Sequence, residues 1–206
     1  MATTKQEMDS KLAPGEARSR GKQIQDLLDD ETVEVPWQLR DADYTYLGSE
    51  PLDRNHYISQ EWCDKETENL WSRVWQLACF EQDIPEVGDH IVYDIVDWSF
   101  ILVRTEPDTI KAFYNSCLHR GRRLCTNELE SANKPEFRCP FHGITWNVNG
   151  SLKAIPPSIE FDFPHVDKDE FSLPEVRCER WDGFVFINID DDAEPLMDFL
   201  GDITKH

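Results

Sequence analysis

Apolar positions are spread unevenly along the 206 residues. Up to about Val35 they are sparse among Lys, Glu, Arg, Asp and Gln, a composition that does not offset the entropy of ordering, so a mobile arm is expected. Within it, Gln23-Ile-Gln-Asp-Leu-Leu28 has the makings of a short docked helix. From Pro36 to Pro51 the spacing is irregular, with Trp37, Tyr44, Tyr46 and Leu47 available as anchors. A helical period then appears. Ser59 is placed to cap it, Glu61 falls in the first turn, and Cys63, Leu70, Trp71 and Val74 recur at i, i+7, i+8 and i+11, which predicts one amphipathic helix over 59–74.

From Trp75 the pattern changes to short strands: Trp75 to Phe80, Ile91 to Val96, Phe100 to Arg104 after a turn at Asp97-Trp98-Ser99, and Ile110 to Tyr114 after Pro107-Asp108. Ile144 to Val148 and Ser151 to Ala154 flank Asn149-Gly150, a strong hairpin signal. Ile155-Pro156-Pro157 to Pro164 reads as a loop, since proline cannot serve a central strand. Val176 to Arg180 and Phe184 to Ile189 follow, joined by Asp182-Gly183, and Leu196 to Leu200 begins a last helix. Strands this short and this closely spaced predict a mainly β fold, an antiparallel sandwich or barrel with an N-terminal arm and one helix.

Charge narrows the partners. The formal net charge of −20 argues against nucleic acid, whose phosphates must be neutralised by Lys and Arg. No stretch approaches the run of about 18 apolar residues that a membrane helix needs, and Met1 to Gly21 has no apolar signal-peptide core, so a cytoplasmic protein without membrane partners is expected. Six cysteines in a chain of this size and compartment do not suggest a disulfide scaffold. Cys63, Cys79, Cys125 and Cys178 are therefore read as thiols.

The other two cysteines carry the chemistry. Cys117-Leu-His119 and, after nineteen intervening residues, Cys139-Pro-Phe-His142 supply two thiols and two imidazoles, and each pair is followed by a glycine, Gly121 or Gly143. This donor set suits a [2Fe–2S] centre with two cysteines on one iron and two histidines on the other. Structural zinc also takes Cys₂His₂, but zinc fingers pair like ligands, whereas each pair here is mixed. Arg120, Gly121, Gly143 and Trp146, next to the ligands in sequence, are candidates for shaping the surroundings of the metal. Arg120, Arg122, Arg123, Lys134 and Arg138 make a basic island in an acidic chain, suited either to an acidic electron donor or to internal pairing with Glu128, Glu130 and Glu136.

Taken together, Cys117-Leu-His119-Arg-Gly121, Cys139-Pro-Phe-His-Gly-Ile-Thr-Trp146, Asn149-Gly-Ser-Leu152 and Trp181-Asp-Gly-Phe-Val-Phe-Ile-Asn188 resemble the Rieske domain of ring-hydroxylating oxygenase α subunits. Pro85-Glu-Val-Gly88 and Phe113-Tyr-Asn-Ser116 look like strands of the same family. The resemblance implies a Rieske domain over 57–190, preceded by an arm and irregular segment over 1–56 and followed at 191–206 by the start of a truncated catalytic domain. It implies that Cys117 and Cys139 hold the inner iron and His119 and His142 the outer one. Respiratory Rieske proteins add a disulfide whose cysteines would fall at Arg122 and Phe141, so the resemblance is to the oxygenase or ferredoxin type.

By the same resemblance, the chain would pass single electrons from a ferredoxin or flavin reductase to a terminal oxygenase acting on an aromatic or related substrate, in a homotrimer or α/β oligomer. A stand-alone Rieske ferredoxin is the alternative. The mononuclear Fe(II) of such an oxygenase is expected only in the missing catalytic domain, because His56, His90, His165 and His206 do not pair at a spacing suited to a facial triad. The chain is thus expected to be a fragment of an oxygenase or a truncated reading frame.

Overall fold

The run Phe100-Ile-Leu-Val103 is buried on both faces, and two cores are built on its opposite sides. Side chains alternate across a strand, so Ile101 and Val103 enter one core with Phe113, while Phe100 and Leu102 enter the other with Ala112 and Ile187. The computed structural model describes residues 24–40, 51–126, 135–163, 166–167 and 170–205. It divides into units 1–54 and 55–206.

In the first unit, α1 (Ile24–Asp29) and the helical turn α2 (Trp37–Arg40) are described. Arg40 bonds the Asp29 carboxylate at 2.6 Å and the Leu28 carbonyl at 2.8 Å. Ile24, Leu27 and Trp37 are exposed. Tyr44, Tyr46 and Leu47, expected as anchors, lie outside the described residues, as does the arm before residue 24.

The second unit opens with α3 (Asn55–Ile58) and α4 (Gln60–Glu66). Ser59 caps α4, its hydroxyl accepting from the Trp62 N–H at 3.4 Å. The expected single helix does not continue regularly to Val74: Thr67–Trp71 is a π-helical turn, closed by Ser72 N–H to the Thr67 carbonyl. A wider turn rotates the following residues off the i, i+7 line. Leu70, within that turn, is exposed, as is Cys63 before it, and Trp71 and Val74 alone of the predicted stripe are half-buried.

Among the described residues nine strands follow: β1 (Gln76–Phe80), β2 (His90–Ile95), β3 (Trp98–Glu106), β4 (Thr109–Tyr114), β5 (Glu136–Arg138), β6 (Thr145–Asn147), β7 (Leu152–Ala154), β8 (Glu175–Trp181) and β9 (Phe184–Asn188). Six make an antiparallel sheet in the order β1-β9-β8-β4-β3-β2. The sheet curls until its edges meet, where the Tyr93 hydroxyl of β2 donates to the Gln76 side-chain oxygen of β1 at 3.1 Å. This is the mainly β architecture expected.

The turn between β2 and β3 is tighter than predicted. Ile95 pairs with Trp98, so Trp98 and Ser99 belong to the strand and Val96-Asp97 alone make the turn, with Val96 at φ +52°. That conformation is rare for a β-branched residue, which is why the sequence did not mark the turn there. Asp182-Gly183, at φ +48° and +84°, joins β8 to β9 as expected.

The remaining strands form a small sheet, β5-β6-β7. Its β6–β7 turn brings Gly150 against β4: the glycine is at φ +83°, and a Cβ there would lie 2.5 Å from Cε1 of the buried Phe113 ring. No helix among the described residues is long and apolar enough to cross a membrane.

Candidate metal centre

The two predicted ligand pairs sit on loops with the same backbone scaffold. In the first, Cys117 N–H donates to the Arg122 carbonyl at 2.8 Å and Gly121 N–H to the Cys117 carbonyl at 2.9 Å. In the second, Cys139 N–H donates to the Ile144 carbonyl at 2.8 Å and Gly143 N–H to the Cys139 carbonyl at 3.0 Å. Both loops therefore close four and five residues after the cysteine, and both need a left-handed residue at the fourth position, filled by Gly121 at φ +69° and Gly143 at φ +82°. The histidine comes two residues after the cysteine in one loop and three in the other, so C-x-H and C-x-x-H are two decorations of one turn.

Different elements carry them. The Cys139 loop is the tip of the β5–β6 hairpin, closed by the Arg138–Thr145 pair. The Cys117 loop follows β4 and is fastened by Asn115. That buried amide accepts from the Leu124 and Cys125 N–H groups at 2.9 and 3.0 Å, and donates to the Cys125 carbonyl at 2.9 Å and the Ser99 hydroxyl at 3.0 Å. All its hydrogen-bonding capacity is used in one place.

The loops meet with like groups together. Cys117 and Cys139 are each 3% exposed and belong to the core with Phe137, Ile144 and Trp146. Burial pushes the Cys117 thiol up from its ordinary value, the N–H groups of His119 and Arg120 oppose this, and the adjacent Cys139 thiol reinforces it. At the rim, Nδ1 of His119 and Nδ1 of His142 are 3.2 Å apart, and both rings are half-buried. Among the described residues, no three His, Cys, Asp or Glu side chains converge as a group able to hold a single ion. The buried thiol pair and the rim imidazole pair match the sorting of donors in a binuclear cluster with unlike irons.

The neighbouring candidates have distinct places. Gly143 lies over Arg138 and Pro156, with 3.3 Å between its notional Cβ and Arg138 Nη2. Trp146 is fully buried, and its indole N–H donates to the Phe171 carbonyl at 3.1 Å. Arg120 is exposed, its guanidinium 5.7 Å from the Phe141 ring centroid. Of the basic island, Arg123 pairs with Asp94 at 2.9 Å, and Glu136 pairs with Lys153 at 2.6 Å. Lys134, Glu128 and Glu130 lie outside the described residues. None of the six cysteines forms a disulfide, so Cys63, Cys79, Cys125 and Cys178 are thiols as expected.

Sequence reasoning missed Asn115, Phe141, Phe163 and strand β5. Phe141 stacks on His142 with centroids 3.8 Å apart, and Phe163 meets His119 edge-on at 5.2 Å. An aromatic beside a ligand, as in Cys-Pro-Phe-His, was the available signal for Phe141. Phe163 comes from a distant loop and left none.

Comparison with known proteins agrees with this geometry. Residues 74–165 match the Rieske [2Fe-2S] domain family. The chain is 32% identical over 165 residues to biphenyl 2,3-dioxygenase subunit alpha of Rhodococcus jostii, covering 79% of this chain and 35% of that protein. It is 32% identical over 144 residues to the carnitine monooxygenase oxygenase subunit of Escherichia coli, covering 70% of this chain and 37% of the relative. A crystal structure of naphthalene 1,2-dioxygenase superposes with a TM-score of 0.65 at 31% identity, over 71% of this chain and 32% of that one. The chain thus spans about a third of the length of these relatives. Residues 74–165 are thus a Rieske [2Fe–2S] domain, and the proteins that the chain resembles are a dioxygenase subunit alpha and a monooxygenase oxygenase subunit.

Proposed function

We propose that Cys117 and Cys139 hold the inner iron and His119 and His142 the outer iron of a [2Fe–2S] cluster, and that the domain relays single electrons within an oxygenase. The observation that carries this is the pairing of like donors on two loops of matching backbone: thiols in the core, imidazoles 3.2 Å apart at the rim. Such a cluster, when bound, accepts and donates one electron at a potential raised by its histidine ligands. The chain's own residues supply the setting. The buried thiols place negative charge where water is scarce, so their ionisation requires the metal. The N–H groups of His119 and Arg120 steady the sulfur of Cys117, and the half-buried imidazoles leave the outer side within reach of a partner.

Segments on both flanks of the domain are tied to the sheet, which supports the oxygenase reading over a stand-alone ferredoxin. The Trp75 indole donates to the Glu194 carbonyl at 2.9 Å, and the Asn188 amide to the Arg73 carbonyl at 3.1 Å. In this reading the donor is a ferredoxin or flavin reductase, and the oxidised substrate is an aromatic or related compound. The complete oxygenase is a homotrimer or α/β oligomer. Oxidation would take place at a mononuclear Fe(II) held by a catalytic domain; among the described residues no triad for it converges.

Visible absorption and EPR of the purified chain test the proposal. A red-brown protein with one cluster per chain, EPR-active after one-electron reduction and colourless as Cys117→Ser, is expected. A colourless wild-type protein carrying stoichiometric zinc would refute it.

A further inference from the structure

The two imidazoles of the site are held by different neighbours. His119 meets the edge of Phe163 at 5.2 Å; Phe163 meets Phe171 at 5.5 Å, and Phe171 stacks on the buried Trp146 at 6.2 Å. That row of rings ends in the core. His142 instead stacks on Phe141, at 3.8 Å and 27° between ring planes, and Phe141 is itself 56% exposed. Over Phe141 lies the guanidinium of Arg120, 5.7 Å from the ring centroid, on the opposite ligand loop and adjacent to His119 in sequence.

An exposed phenyl ring resting on its sequence neighbour is weakly fixed by burial alone. A guanidinium suits the task of fixing it, being planar, delocalised, always charged and weakly hydrated, and it stacks on aromatic faces where an ammonium would remain in water. Among the described residues no carboxylate forms an ion pair with Arg120, so nothing described there draws it off the ring. The contact also joins the two loops at the rim, where the imidazoles approach one another. Residues that orient a metal-binding histidine tune the metal beyond it, and a fixed positive charge nearby favours the more negative, reduced state.

We propose that Arg120 and Phe141 form a latch across the two ligand loops that sets the ring orientation of His142 and keeps a positive charge at the imidazole end of the site. The latch rests on the cluster assignment above. Both are positioning residues, since they act through His142.

The test uses the full chain with its cluster, comparing Arg120→Gln, Arg120→Lys, Phe141→Leu and Phe163→Leu by iron content, redox poise against a mediator and pulsed-EPR nitrogen couplings. Arg120→Gln should lower the reduced-to-oxidised ratio at fixed poise about two- to fivefold, or about 20–40 mV at 59 mV per tenfold for one electron. Arg120→Lys should retain most of that ratio, yet share with Phe141→Leu an altered coupling of one histidine nitrogen. Phe163→Leu should alter the other histidine. Arg120→Gln combined with Phe141→Leu should change the coupling little beyond Phe141→Leu alone, because the two act as a unit.

Fully loaded Arg120→Gln and Phe141→Leu proteins with wild-type couplings would overturn the latch. So would a potential shift in Arg120→Gln with normal couplings in Arg120→Lys and Phe141→Leu, which would leave a charge effect alone. If the wild-type chain held no cluster, the assignment would fall, but the latch would still be decided on the iron-free chain. There, stacking of Phe141 predicts an upfield ring-current shift of the His142 protons that Arg120→Gln reduces, and an unchanged shift would refute the latch.

Discussion

The six-stranded sheet and the small sheet that carries half of the candidate metal site are both antiparallel, but they are stabilised in different ways. In the large sheet, β3 alone makes six residue pairs with each of β2 and β4. Its buried Arg104 is met by the carbonyls of Ile84 at 2.7 Å, Pro107 at 2.7 Å and Glu81 at 3.4 Å, and lies 3.6 Å from the Glu81 carboxylate. The small sheet has three-residue strands, with three pairs between β5 and β6 and two between β6 and β7. A sheet so short cannot offset its own ordering entropy. It relies on the core it shares with Ile101, Val103 and Phe113 of the large sheet, on the glycine-closed loops and, in the proposed function, on the cluster. The large sheet is a frame; the small one takes its order from what it holds and what it leans on.

The largest expected effect separates the two regions. With Cys139→Ser, or in protein produced without iron, amides of 136–154 should exchange at least about a hundredfold faster, equivalent to about 3 kcal/mol of local stability, while β3 and β4 remain protected. Equal loss of protection in both sheets, by hydrogen-exchange mass spectrometry, would erase the distinction.

Gly150→Ala sharpens it at the joint. Its Cβ would lie 2.5 and 2.8 Å from carbons of the Phe113 ring, on a backbone at φ +83°. Left-handed strain and overpacking together should cost about 2–4 kcal/mol in urea unfolding. Cluster content should fall with it, because Phe113 and both proposed ligand cysteines share one core.

The smallest effect belongs to the frame. Burial pushes the thiols of Cys79 and Cys178 up from 9.0 to about 12, reinforced for Cys79 by Asp83 and for Cys178 by Cys79. Because the folded chain keeps these protons after the unfolded chain has lost them, their contribution to stability is complete below pH 9.0 and declines as pH rises towards about 12. Urea midpoints across that range should fall less steeply in a Cys79→Ala, Cys178→Ala double variant. An unchanged slope would show that these thiols do not stay protonated in the frame.

Much of this was legible in the order of residues, and the failures have physical causes. Alternation over Ile91 to Tyr114 marked the strands because a buried ladder demands it, and Asn149-Gly150 and Asp182-Gly183 marked turns because few other residues accept their dihedrals. Val96 concealed its turn, since the tight hairpin forces a positive φ on a residue type that avoids it. The helix over 59–74 was read with one period, but the π-helical turn at Thr67–Trp71 broke that period where i, i+7 spacing assumed it constant. Strand β5 has only three residues and takes its register from Thr145-Trp-Asn147 across the hairpin, so its own pattern was too short to read.

By itself, the sequence put forward the proposed donor set. Two cysteines, two histidines and the glycines that close their turns are local chemistry, written at fixed spacings in Cys117 to Gly121 and Cys139 to Gly143. Tertiary structure alone decided how that set is sorted and held. It placed the thiols in the core and the imidazoles at the rim, tied the first loop to Ser99 through Asn115, and brought Phe163 to His119 and Arg120 to Phe141. Those pairings join residues far apart in the chain through packing and hydrogen bonds that exist only once the two sheets share a core, so no spacing along the chain encodes them.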